Sequence, residues 1–198
     1  MTPDQRWVHW WYTAWRQAEE EWCPPALRFL DKSRLDALAR SRHAALGRSF
    51  GITPCTPPRP KPAVQSMICG DPRVRSLTYA LVDAICAPVS SRAILAQEQR
   101  QWCQSIAKSL RPGHWLGDGA DSLVLLRAWL GDAAWERVRL QFPRSRILAL
   151  EDHPLPLPQP PASRLDTLWQ SAYWKAEQCL LKEAPMPSEN IHARKTHA

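Results

Sequence analysis

Apolar positions along this chain recur mainly at three- and four-residue intervals, the period of helices that turn one face to a core. From Asp4 to Trp22, the rings of Trp7, Trp10, Trp11, Trp15 and Trp22 fall within an arc of roughly 140° at about 100° per residue, with His9, Arg16 and Glu20 opposite and Glu21 out of pattern. This predicts one amphipathic helix, whose tryptophan face either docks on the core or meets a partner helix. The acidic Glu19-Glu20-Glu21 run argues against a membrane surface, where Lys and Arg usually line the polar face. Asp31 or Ser33 can cap a second helix reaching about Gly47, with Leu35, Leu38 and Leu46 on its apolar side. Asp71 and Pro72 open a third, in which Val74, Leu77, Leu81 and Ile85 repeat until Pro88.

Ser90 or Ser91 opens a long fourth helix with an inner stripe of Leu95, Trp102, Ile106 and Leu110, stopped by Arg111-Pro112-Gly113. Asp121 caps a fifth from Leu123 to Leu130, closed at Gly131. Asp132 caps a sixth, Ala133 to Phe142, ended by Pro143. Ser163 with Asp166 resembles a capping box, and Leu165, Leu168, Trp169, Ala172, Ala176 and Leu180 form the stripe of a last helix. Only Gln65–Cys69 and Arg146–Leu150 read as possible strands, too few for a sheet. The predicted class is all-α or nearly so, an irregular bundle of six to seven helices with proline-rich connectors.

Two proline clusters punctuate this pattern: Pro54, Pro57, Pro58, Pro60 and Pro62, then Pro154, Pro156, Pro158, Pro160 and Pro161. Each proline fixes φ and disfavours helix in the residue before it, so both stretches are expected to run extended. The predicted organisation is an N-terminal helical region (1–53), a proline-rich linker (54–62), a helical core domain (63–184) and a disordered basic tail (185–198).

Composition narrows the function classes. The 198 residues include 11 Trp and 19 Pro but only 7 Gly, which weighs against glycine-rich phosphate loops. The net charge of +7 permits an anionic partner, although part of it lies in the tail with Arg194 and Lys195. The six cysteines are spread out; the nearest pair, Cys55 and Cys69, is far from a Cys-x-x-Cys spacing, so no zinc site is expected. No signal peptide and no apolar run of membrane-spanning length is read, and the expectation is a reduced, cytoplasmic protein with mostly buried thiols.

Catalytic chemistry is not legible. His114 sits in a turn beside Trp115 and reads as a packing or hydrogen-bonding group; Asp118 and Asp121 fit loop and cap roles. No nucleophile elbow, His-Glu-x-x-His or phosphate loop occurs. No enzyme activity, cofactor or metal is expected. Nucleic-acid binding would rest on Arg137, Arg139, Arg144 and Arg146. Arg137 and Arg139 point about 200° apart on a helix, and no specific reading motif accompanies them. The basic stretch with Lys32, Arg34, Arg40, Arg42, His43 and Arg48 is either a solvated helix face or a docking surface for an acidic partner.

The run from Trp102 to Arg146 combines tryptophans with two helix junctions. Its signature is Trp102-Cys103, Arg111-Pro112-Gly113-His114-Trp115-Leu116, Leu125-Leu126-Arg127-Ala128-Trp129-Leu130-Gly131, Trp135 and Arg139-Leu140-Gln141-Phe142-Pro143-Arg144. It resembles the SctK family of type III secretion sorting-platform accessory proteins, particularly the Hrp-type branch. Leu77 to Ala87 followed by a long helix is similar in outline to the family's middle region. Pro24-Pro25-Ala26 is similar to its early His-Pro-Ala-type segment, with Cys23 where His is expected. In order of elements the resemblance covers roughly 23–180, and in specific residues 102–146.

The resemblance implies a non-enzymatic adaptor of the cytoplasmic sorting platform, peripheral to the inner-membrane secretion apparatus. Its partners would be an SctQ-type C-ring protein and the cytoplasmic domain of an SctD-type inner-membrane ring protein, with no specific nucleic acid and no membrane insertion. Arg34, Arg40 and Arg42 are the expected partner-binding residues. Trp102, Trp115, Trp129, Trp135 and Phe142 are the expected structural core, with Trp129 and Trp135 converging across the Gly131 corner. The alternatives are a secretion chaperone or regulatory adaptor that binds a helical partner through the N-terminal tryptophan face, and a basic nucleic-acid-binding regulator.

Overall fold

A computed structural model describes residues 1–87, 94–116, 121–152 and 162–183. Among the described residues there are ten α-helices, several 3-10 turns and no strand. The chain is all-α, with more and shorter helices than the six to seven expected. The second proline cluster, Pro88, the Ser90/Ser91 cap, Asp118 and the tail lie outside the described residues.

Helix α1 (Pro3–Thr13) is capped reciprocally, since Thr2 Oγ1 accepts the Gln5 N–H and Gln5 Oε1 accepts the Thr2 N–H, with Pro3 at the first helical position. It does not continue to Trp22; the chain passes into 3-10 turns at Ala14–Gln17 and Glu20–Trp22. Carbonyl groups that would extend the ladder have other donors. Arg137 Nε donates to the Trp11 oxygen, and Trp15 Nε1 donates to the Tyr12 oxygen.

The expected second helix is two, α2 (Lys32–Ser41) and α3 (His43–Ser49), broken at Arg42 with φ −138° and ψ 41°. Asp31 caps α2 through the Arg34 N–H at 2.8 Å. At its end the Ser41 hydroxyl donates to the Ala37 carbonyl at 2.9 Å, a local bond that competes with helical continuation.

Both possible strands are helices. Pro62 begins α4 (Pro62–Cys69), so the connector ends one residue earlier than expected. Val64, Met67 and Ile68 reach the core at helical spacing. Ile147 and Leu150 do the same in α9 (Arg144–Asp152). Five-residue apolar runs carry no decisive period, and burial of an i, i+3 pair selects the helix.

Asp71 caps α5 (Pro72–Cys86) as expected, through the Arg73 N–H at 2.8 Å. Helix α6 (Gln97–Leu110) begins well after Ser91. Leu95 is buried but precedes it, and the fully buried residue of α6 is Cys103, while Trp102, Ile106 and Leu110 are half-buried against the core. Arg111 adopts a left-handed conformation (φ 51°) and ends the helix.

Helices α7 (Leu123–Leu130) and α8 (Asp132–Val138) meet at Gly131, whose φ of 76° and ψ of 161° lie in a region open to glycine. Helix α8 is shorter than expected; Arg139–Gln141 form a 3-10 turn and Phe142 is extended. The last helix, α10 (Ala162–Glu183), already contains Ser163, which rules out the expected capping box. Asp166 instead accepts hydrogen bonds from Lys61 Nζ at 2.9 Å and Trp129 Nε1 at 2.7 Å.

Helix α10 packs along α5, α5 supports α6, and α1 lies on α4. Trp7, Trp10, Trp11 and Ala14 share one apolar cluster with residues from Val64 to Ala176, so the two sides of the first proline-rich segment have a common core. A smaller cluster joins Trp15, Leu46, Phe50, Ile52 and Leu140. The extended segment is bonded to α1: Trp7 Nε1 donates to the Pro58 carbonyl at 2.9 Å and Trp11 Nε1 to the Cys55 carbonyl at 3.1 Å.

Candidate protein-interaction surface

Four of the five rings of the N-terminal tryptophan face turn inward, and Trp22 is half-buried. Trp7, Trp10, Trp11 and Trp15 are buried, and Trp7 stacks on Trp10 with ring centres 5.1 Å apart. A chaperone-like reading that needs these rings on the outside loses its surface. Trp115, Trp129, Trp135 and Phe142 are buried as well, and Trp102 is half-buried. Trp129 and Trp135 serve different neighbours. Trp129 stacks on Trp169 of α10 at 5.6 Å and bonds Asp166, whereas Trp135 Nε1 donates to Glu151 of α9 at 3.2 Å.

Arg34, Arg40 and Arg42 are exposed. Arg34 lies 3.5 Å from Asp31, while Arg40 and Arg42 have no ion pair among the described residues. The break at Arg42 takes it off the α2 face, so the three form a spread basic surface rather than one stripe.

Three of the four downstream arginines are engaged within the fold. Arg137 is 2% exposed and stacks 3.8 Å from the centre of the Trp11 ring. Its guanidinium donates to the carbonyls of Trp11, Ala133 and Thr53. Burial depresses its pKa, an effect that nearby Cys55 and Glu136 oppose. Arg139 pairs with Glu151 at 2.9 Å and donates to the Gly51 carbonyl at 3.0 Å. Arg146 grips Asp121 through two hydrogen bonds, which raise its pKa above the ordinary value. Helical periodicity places Arg137 and Arg139 on different faces, but their partners lie far away in the chain and leave no local pattern.

Arg144 is different, because its guanidinium is exposed over the Trp22 ring at 5.6 Å and has no anionic partner among the described residues. It belongs to a groove of about 430 Å³ built by Trp22–Pro25, Arg28, Ser49–Gly51 and α9. Two carboxylates line the groove and both are committed. Glu21 Oε2 accepts the backbone N–H groups of Arg144 and Ser145, and Glu151 holds Arg139 and Trp135. Arg28, also exposed, donates to the Cys23 carbonyl at 3.3 Å and has no other partner among the described residues. The buried Nε of Arg139 has no hydrogen-bond partner among the described residues. Leu148 is 45% exposed on the same groove.

Elsewhere, a cavity of about 320 Å³ lies between α1 and α3, walled by Trp11, Trp15, Ile52 and Arg137. Trp174 is the exposed member among the 11 tryptophans, 57% accessible on the outer face of α10 together with Leu181.

The cysteines are free and mostly half-buried rather than mostly buried; Cys103 is buried and Cys55 exposed. Burial pushes the Cys86 thiol up to about 12 and that of Cys103 to about 11. Among the described residues no group of His, Cys, Asp and Glu is arranged to hold a metal, and no helix is long and apolar enough to cross a membrane. His114 is exposed in the 3-10 turn Pro112–His114.

No protein-family model, curated protein or solved structure matches this chain.

Proposed function

We propose that this protein is a non-enzymatic adaptor that joins other proteins, in the manner of the SctK-like accessory proteins of the type III secretion sorting platform. The observation that carries this reading is how its polar chemistry is spent. Arg137, Arg139, Arg146 and Asp166 tie separate stretches of the fold to one another, while Arg28, Arg40, Arg42 and Arg144 are exposed and have no ion pair among the described residues. Such a molecule presents charge to a partner rather than to a substrate. The resemblance of the Trp102–Arg146 run supports the same class.

The partners in this reading are an SctQ-type C-ring protein and the cytoplasmic domain of an SctD-type inner-membrane ring protein, reached from the cytoplasmic side of the inner membrane. One contact is placed on Arg34, Arg40 and Arg42, whose exposed charge can select an acidic surface. The test uses the purified chain with these two proteins from the source genome. Charge reversal at the three arginines is expected to weaken one of the two interactions while the far-UV circular dichroism spectrum is unchanged. If the folded wild-type chain retains neither protein at low salt, the bridging role is wrong.

A further inference from the structure

We propose that the groove floored by Trp22 is the docking site for an acidic segment of a partner protein that carries an apolar anchor. The inference rests on the adaptor reading for its choice of partner and adds a surface that the sequence resemblance does not name.

Three observations converge on it. The first is unbalanced charge. Arg28, Arg139 and Arg144 line the groove against Glu21 and Glu151, a net excess of one positive charge; Glu151 pairs with Arg139, and Glu21, which accepts the first backbone N–H groups of α9, makes no ion pair with Arg28 or Arg144 among the described residues. Arg28 and Arg144 therefore face solvent as cations without an anion among the described residues.

The second is the geometry of Arg144. Its guanidinium is held over the Trp22 ring, and Trp22 is itself fixed by an Nε1 hydrogen bond to the Phe142 carbonyl at 2.9 Å. A guanidinium held by a cation–π contact is partly oriented, so less side-chain freedom is lost when a carboxylate binds it.

The third is apolar surface beside the charge. Leu148 is 45% exposed in the groove, and Phe29, next to Arg28 in the chain, is 89% exposed. Arginine and tryptophan are enriched at the energetic centres of protein interfaces, and Leu148 adds apolar area beside them. Asp or Glu to meet Arg28 and Arg144, with one apolar side chain against Trp22 and Leu148, is the complementary chemistry.

The experiment measures affinity of the full chain for the SctQ-type protein and for the SctD-type cytoplasmic domain, separately, by isothermal titration. The variants are Arg28→Glu/Arg144→Glu, Leu148→Arg and Arg40→Glu/Arg42→Glu. All replace exposed side chains, and the Glu21 cap uses the backbone of residue 144, so folding is expected to persist. The expected result is that Arg28→Glu/Arg144→Glu and Leu148→Arg each weaken the same one of the two interactions at least tenfold. Arg40→Glu/Arg42→Glu leaves that interaction within about twofold, and wild-type affinity falls as salt rises. If either partner binds and both stay within twofold of wild type in the groove variants, the groove assignment is overturned and the adaptor reading stands. If neither partner binds the wild-type chain, both readings fall together.

Discussion

The guanidinium of Arg137 stacks 3.8 Å from the ring centre of Trp11 and also donates its Nε proton to that residue's carbonyl oxygen. One side chain thus ends the first helix, covers its most buried indole and ties both to α8. A buried cation is tolerable when its donors are matched, and here three carbonyls match them.

Arg137→Ala is expected to destabilise the fold by about 3 kcal/mol, since it strands the carbonyl oxygen of buried Trp11 and removes packing from that ring. Arg137→Lys keeps the charge without the planar fork and should recover only part of the loss. Urea unfolding followed by tryptophan fluorescence measures both. A loss under about 0.5 kcal/mol for the alanine variant would count against the structural role.

Two tryptophans should respond in opposite ways. Trp135 is 2% exposed and bonded to Glu151, so Trp135→Ala is expected to cost ~3–5 kcal/mol. Trp174 is 57% exposed, and Trp174→Ala should stay within about 0.5 kcal/mol. The comparison of denaturation midpoints is the check.

The hydroxyl of Tyr79 is buried without a hydrogen-bond partner among the described residues, and burial pushes its pKa above the ordinary value. Tyr79→Phe removes that unmet atom while keeping the ring against Phe142 and Trp169. The variant is expected to be neutral or more stable by about 1 kcal/mol; a loss of more than that would mean the hydroxyl has a partner.

The Asp166 carboxyl is held below its ordinary pKa, first by the Lys61 hydrogen bond and further by Trp129 Nε1. A depressed carboxyl favours the fold in its ionised form. Its contribution is complete above the unfolded value of about 3.9 and is lost as pH falls through the lower folded value. Wild type should therefore lose stability below about pH 4 more than Asp166→Asn does, a difference read from thermal melts between pH 7 and pH 3.

Thiol reactivity should sort by burial. Cys55 is exposed and should be alkylated first at pH 8. Cys103 and Cys86, with thiols raised to about 11 and about 12, should react only after denaturant opens the fold. Peptide mapping of a time course distinguishes them.

The amino-acid sequence by itself determined which stretches are helical wherever a cap and a long apolar stripe agree. Asp71-Pro72 with its stripe to Ile85, and Leu165 through Ala176, are the clearest cases, because both cues depend on residues within a few turns. It left open whether the N-terminal tryptophan face docks on the core, which the burial of Trp7, Trp10, Trp11 and Trp15 answers. Tertiary structure alone decided where helices break, that 65–69 and 146–150 coil rather than extend, and which arginines turn inward. The carbonyls that Arg137 takes belong to residues as distant as Trp11 and Thr53, and Trp22 meets Arg144 across a comparable separation. Local periodicity tells which face of a segment avoids water, but not which distant backbone group will be close enough to accept its hydrogen bonds. The groove was illegible for the same reason: its walls come from three separated stretches that only packing brings together.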